Sequence, residues 1–287
     1  MASLTGSFRL SDIHSVEFAP RRRATANHNA VSPTESFVNI ARTAMNSVPT
    51  IDSAPSLPGM ETVAQWAEVF KRPAVPTRTA VEDLQEERIN AITHGLGLVL
   101  SVAGFAYLLT AAMTSGSWIR IASCGVYGVS LMAMYAASTS LHAARTPERK
   151  LQFQVCDHVS IYLLIVGTYT PFMASLEGHI GWVLLGCVWT LAAFGIAIKV
   201  RYADRLNETS PMPYVVLGWL ALAAIRPLMD VLATEGLVLL IGGGVSYSLG
   251  VIFFCRDDKR YFHAIWHVFV MGGTACHFFA ILLYVAV

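Results

Sequence analysis

Between Ile89 and Ile119 no Asp, Glu, Lys or Arg interrupts the chain, and the same holds from Ile121 to Ala144. Leu151–Leu176 carries one charge, Asp157, and Gly178–Ile198 carries none. Thr209–Ile225 is clean before it meets Arg226 and Asp230, and Gly236–Cys255 and Tyr261–Val287 are again free of charge. A bilayer core of about 30 Å takes roughly 20 helical residues. The pattern therefore predicts an all-α integral membrane protein, a seven-transmembrane-helix bundle. Its spans are expected at 90–113, 119–143, 153–175, 179–199, 211–231, 236–255 and 262–286.

The connections set an orientation. Arg145, Arg149 and Lys150 follow the second span, Lys199, Arg201 and Arg205 the fourth, and Arg256, Lys259 and Arg260 the sixth. The alternate connections, around Thr114–Ser117, Glu177–Gly181 and Leu232–Gly236, hold no Lys or Arg. Basic residues mark the cytoplasmic side, so the N-terminus is expected in the cytoplasm and the C-terminus outside. The sequon Asn207-Glu208-Thr209 then faces the cytoplasm and is not expected to be glycosylated.

Residues 1–78 break the pattern. Ser, Thr, Ala and Pro dominate there, around a basic triplet Arg21–Arg23, and no continuous apolar stretch marks a cleaved secretory signal. A disordered tail is expected, followed by a membrane domain over 79–287. Within the tail, Met60, Val63, Trp66, Val69 and Phe70 fall at the spacing of a short interfacial helix. Thr79 with Glu82 resembles a capping box that opens a helix running into the first span.

Composition agrees with the spans. Only 14% of the chain is charged, where soluble proteins carry about 25%. A net charge of +1 offers no electrostatic support for a nucleic-acid partner. Cys124, Cys156, Cys187, Cys255 and Cys276 are scattered, with no CxxC, and are read as reduced helix residues.

The candidate chemistry lies in polar residues that a bilayer tolerates only for a reason. Ser138 and His142 end the second span, Asp157 begins the third, and His263 and His267 begin the seventh. Glu87, Asn90, Thr93 and His94 open the first. Four helices thus bring polar groups to one depth on the basic side. His263 and His267 lie one turn apart on one helix face and can grip one metal ion. With His142 they would supply three positions around zinc and leave a fourth for water. Asp157 would either deprotonate that water or serve as the fourth ligand.

Other polar residues have plainer readings. His158 points about 100° away from Asp157 and His277 lies nearly three turns deeper than His267, so both are read as helix-to-helix hydrogen-bonding groups. His179 falls in an outer connection, and His14 and His28 in the tail. Arg226 and Asp230 read as a snorkelling pair. Pro171 and Pro227 are expected to kink their helices, and Gly242-Gly243-Gly244 to allow close packing. HxxxH lacks the Glu of HExxH, which removes the soluble-metalloprotease reading.

Several separate motifs together resemble haemolysin III, the bacterial-type branch of the progestin and adiponectin receptor (PAQR) family. They are Glu87-x-x-Asn90-x-x-Thr93-His94-Gly95, Ser138-x-x-x-His142, Asp157-His158 with Gly167-Thr168-Tyr169-Thr170-Pro171, and His263-Ala264-Ile265-Trp266-His267. The resemblance runs from about Glu86 to Val287. It implies a seven-helix bundle with a cytoplasmic N-terminus, zinc on His142, His263 and His267, and Asp157 and Ser138 beside a zinc-bound water. It also implies a link to ceramide hydrolysis, and the family was named for cytolysis.

Three functions follow as expectations. A zinc-dependent lipid amide hydrolase would use Asp157 as base and take its substrate from membrane lipid. A receptor or sensor would hold a structural zinc saturated by four ligands. A cytolysin or channel would need a polar stripe through the bundle, whereas the polar residues gather at one end. The cell membrane is the expected location.

Overall fold

The computed structural model describes residues 80–202 and 210–286. The tail with its interfacial helix, the cap residue Thr79 and the sequon all lie outside the described residues. Eight α-helices follow one another: α1 (Ala80–Thr114), α2 (Trp118–Ala143), α3 (Pro147–Ala174), α4 (Ile180–Arg201), α5 (Met212–Trp219), α6 (Ile225–Val231), α7 (Thr234–Phe254) and α8 (Phe262–Tyr284). A 3-10 turn, Leu220–Ala224, joins α5 to α6. Together these three pieces run along the apolar stretch read as the fifth span, which gives seven helical segments among the described residues.

Six of the seven are long and apolar enough to cross a bilayer. The third, α3, is 28 residues long, about 42 Å at 1.5 Å per residue, and so has the length to cross. Its composition is more polar because it turns Asp157, Ser160, Thr168 and Tyr169 inward; Ser160, Thr168 and Tyr169 are buried.

The bundle inverts the polarity of a soluble core. Ile92, Val99, Trp118, Phe194 and Val238 are among many large apolar side chains left exposed around its outside, the surface acyl chains would cover. Along α1 the buried positions are Glu86, Asn90, His94, Gly97, Ser101, Leu108 and Ala112. Those steps of three, four or seven residues make one helical stripe, polar at its start and apolar towards its end. In sequence the stripe is masked, because the opposite face of α1 is equally apolar.

Helices α1, α2, α3, α5, α7 and α8 neighbour one another in a closed ring, and α4 packs outside it against α3 and α5. Ser117 caps α2 and Thr146 caps α3, where Pro147 occupies the first helical position and needs no N–H partner. Pro227 has no N–H for the Ala223 carbonyl, and its ring crowds that carbonyl; the fifth span breaks into its 3-10 turn at that level. Pro171 lies in the last turn of α3, so the helix ends within one turn of it.

The start of α1 is tied to the connection between α7 and α8 at the basic end. Arg260 donates to Gln85 Oε1 at 2.9 Å, and its guanidinium lies 3.9 Å from Glu82. Tyr261, the residue before α8, takes a left-handed backbone with φ of 64°, and its N–H donates to Glu86 at 3.1 Å. Glu86 therefore holds the turn from which α8 launches His263 and His267. None of the five cysteines is in a disulfide.

Close helix packing rests on small residues. A Cβ on Gly167 would run into Ser130 of α2, and one on Gly243 would strike the His277 ring of α8. Gly186 faces open space on the outside of α4. Gly167→Ala is expected to cost about 1–3 kcal/mol through overpacking. Gly186→Ala is expected to be neutral or to stabilise by up to ~1 kcal/mol through helix propensity. Thermal melts of the two variants in detergent, beside wild type, check both signs.

Candidate metal centre

His142, His263 and His267 come together: each offers one ring nitrogen, and these atoms lie within 4.8 Å of one another. Ring centroids are 5.0 Å apart for His142–His263, 5.0 Å for His142–His267 and 4.7 Å for His263–His267. The i, i+4 spacing on α8 sets one edge of this triangle, and the end of α2 supplies the third corner.

What the rings do with their other nitrogens tests whether the site suits a metal. His142 Nδ1 lies 2.7 Å from Glu87 Oε2. An ionised carboxylate only accepts, so Nδ1 carries the proton and Nε2 the lone pair. That Nε2 is buried and has no hydrogen-bond partner. His267 Nδ1 lies 2.9 Å from Thr93 Oγ1, whose hydroxyl donates to the Asn90 carbonyl. With its one proton spent there, Thr93 accepts from Nδ1–H, and His267 too presents a bare Nε2. His263 Nδ1 is 3.7 Å from Asp257 Oδ2. Two imidazoles are thus oriented from behind by hydrogen bonds to Glu87 and Thr93, the outer-shell pattern of metal-ligating histidines, and Asp257 lies near the third. An orphaned lone pair in a buried site is costly unless something binds it. The donor set suits zinc.

Glu87 is itself held. Its second oxygen pairs with the Lys150 ammonium at the start of α3, so one carboxylate ties α1 to α2 and to α3. Asp157 stands near His263 and the Ser138 hydroxyl, outside the three-histidine cluster. Ser138 is also 2.7 Å from His94 Nδ1. With Asp157 ionised, Ser138 gives its proton to Asp157 and accepts from His94 Nδ1–H. His94 in turn stacks on His267, centroids 3.5 Å apart and planes 13° from parallel.

Every polar residue singled out from the sequence at this depth is therefore in one network. Asn90 is buried, presents its carbonyl to Thr93, and leaves its Oδ1 without a partner among the described residues. His277 makes a helix-to-helix bond, its Nε2 donating to the Leu240 carbonyl at 3.0 Å. His158 stays out of the cluster, its backbone carbonyl accepting from Tyr214. Sequence reasoning missed Glu86, Lys150 and Asp257. Each is a charge at a helix end, where an exposed residue reads the same way; only the i+6 offset of His263 from Asp257 across a tight turn hints at its use.

The triad sits at the head of a cavity of about 1170 Å³ inside the ring of helices. Its wall follows α3 from Asp157 to Met173, about 24 Å of helix at 1.5 Å per residue. Beyond the metal end the wall is mostly apolar, with Phe172, Leu228, Leu240 and Val270 contributing.

Wild type is expected to retain zinc through purification, and the His263→Ala/His267→Ala double variant to lose it. Glu87→Gln, which keeps the shape but weakens the hold on His142, is expected to lower zinc affinity roughly 10–100-fold. Elemental analysis and competition with a zinc chelator in detergent measure both.

Comparison with known proteins agrees with this geometry. Residues 82–278 match the family described as haemolysin-III related. The chain is 44% identical over 203 residues to hemolysin-3 of Bacillus cereus, covering 70% of this chain and 93% of that protein. It is 42% identical over 202 residues to the hemolysin-3 homolog of Bacillus subtilis (strain 168), covering 70% and 95%. It is 30% identical over 210 residues to the human monocyte to macrophage differentiation factor, covering 69% and 84%. The matched segment spans every helix that contributes to the histidine cluster, and the chain is a multi-pass integral membrane protein belonging to the haemolysin III branch of the PAQR family.

Proposed function

We propose that the protein is a zinc-dependent hydrolase of lipid amides, with its active site near the cytoplasmic face of the cell membrane. The carrying observation is the open three-histidine cluster, flanked by Asp157, at the head of a long and mostly apolar cavity. Zinc held by His142, His263 and His267 would polarise an amide carbonyl and acidify a water.

The remaining work falls to the chain itself. Asp157 accepts a proton from the attacking water as the new C–O bond forms, then returns it to the nitrogen as the C–N bond breaks, leaving a carboxylic acid and an amine. Ser138, 2.7 Å from His94 Nδ1 and close to Asp157, would orient that carboxylate. Glu87 and Thr93 keep the imidazole rings of His142 and His267 in the tautomer that faces inward. The apolar wall holds an acyl chain along the bundle and places its carbonyl at the metal end.

That Asp157 is separate from the three-histidine cluster supports a base over a fourth ligand. It also favours an open catalytic metal over the saturated structural zinc of a receptor. A pore is poorly supported, because the cavity wall beyond the histidine cluster is mostly apolar and two of its hydroxyls are spent on backbone: Thr168 donates to the Leu164 carbonyl and Ser248 to that of Gly244.

Asp157→Asn is expected to keep its zinc and lose hydrolysis of a fluorescent ceramide by about 10²–10⁴-fold. Zinc retained with turnover unchanged would remove Asp157 from the chemistry. No turnover in zinc-loaded wild type, across ceramides and simple N-acyl amides, would overturn the hydrolase reading and leave the metal site standing.

A further inference from the structure

Deep in the cavity the wall carries a small number of polar groups, and most are already satisfied. Thr168 donates to the Leu164 carbonyl, Tyr169 to the Leu217 and Gly218 carbonyls, and Ser248 donates to Gly244 while accepting from the Trp219 indole. Two groups remain. His277 gives its Nε2–H to the Leu240 carbonyl, so in the neutral ring Nδ1 is a bare acceptor. Tyr247, across from it on α7 with ring centroids 5.5 Å apart, has a hydroxyl with no hydrogen bond among the described residues. Both side chains line the cavity and neither is fully buried.

Their depth matters. His277 is ten residues along α8 from the metal-ligating His267, about 15 Å at 1.5 Å per residue. An acceptor and a donor on side chains that line an apolar chamber each carry a desolvation cost that a plain acyl chain would not relieve. A hydroxyl answers both, since it can donate to His277 Nδ1 and accept from the Tyr247 hydroxyl. A site built to bond a hydroxyl discriminates against the analogue that lacks it, because its polar groups are then left unpaired.

We infer that Tyr247 and His277 form a second polar station in the cavity, which selects lipid chains bearing a mid-chain hydroxyl at a fixed distance from the carbonyl held at the metal end. The inference rests on the lipid-cavity reading above and adds to it a specificity that the metal centre alone does not impose. It does not depend on turnover.

The test is binding of stearamide against a series of hydroxystearamides with the hydroxyl moved along the chain. Displacement of a fluorescent fatty amide from zinc-loaded protein in detergent reads it, beside Tyr247→Phe and His277→Leu with zinc content checked in each. One positional isomer is expected to bind about three- to tenfold more tightly than stearamide, as one hydrogen bond or two would give. That preference is expected to vanish in Tyr247→Phe, which removes only an oxygen and keeps the ring packed. His277→Leu adds support where it folds, and Tyr247→Phe decides alone where it does not. Equal binding of stearamide and every isomer would overturn the station and leave the lipid cavity intact. A preference that survives in Tyr247→Phe would likewise overturn it. Failure of stearamide and all isomers to displace the probe would overturn the lipid-cavity reading, and the station with it.

Discussion

A polar side chain carried into a bilayer has no water to fall back on, so it must find its partner inside the bundle or be paid for by something bound there. The bond between Glu87 and His142 shows how this constraint shapes the molecule. One carboxylate at the start of α1 holds an imidazole at the end of α2 and an ammonium at the start of α3, so three helices are registered against one another by a single side chain. Breaking the contact would leave a charge and a ring nitrogen unpaired in a partly buried site, and the cost of an unmade bond exceeds the net gain of making it. Thr93 does the same between α1 and α8, and Ser138 and His94 between α2 and α1.

That network is incomplete within the protein. Among the described residues three buried polar atoms in and around the histidine cluster, Asn90 Oδ1, His94 Nε2 and His142 Nε2, have no hydrogen-bond partner. The bare His142 nitrogen beside two further imidazoles is what would suit the cluster to a metal. The orienting residues also explain why α1 is needed although it supplies no ligand: it provides Glu87 and Thr93, two of the three side chains behind the imidazoles.

The same economy accounts for α3. A helix that lines a chamber on one side and neighbours α2 and α4 on others gains little from an apolar surface all round. Its inward residues, among them Asp157 and Tyr169, lower its average apolarity below that of the six other spans. Polar content in a span is here a sign of position in the ring.

The apolar runs between short charged connections determined the number, length and order of the spans, because a bilayer demands about 20 apolar helical residues whatever the tertiary packing. They also placed Glu87, Asn90, Thr93, His94, Ser138, His142, Asp157, His263 and His267 at one depth, since depth follows from distance along a helix. Which of these face each other was another matter. The stripe on α1 could not be read from its sequence, because lipid and protein interior are equally apolar and leave no amphipathic signal. Nor could the roles of Glu86, Lys150 and Asp257, whose charges at helix ends look like ordinary surface residues until the helices are assembled. The cavity, and the meeting of Tyr247 with His277 in its wall, were decided by tertiary structure alone: a void is a property of how helices are spaced, and no single segment encodes it.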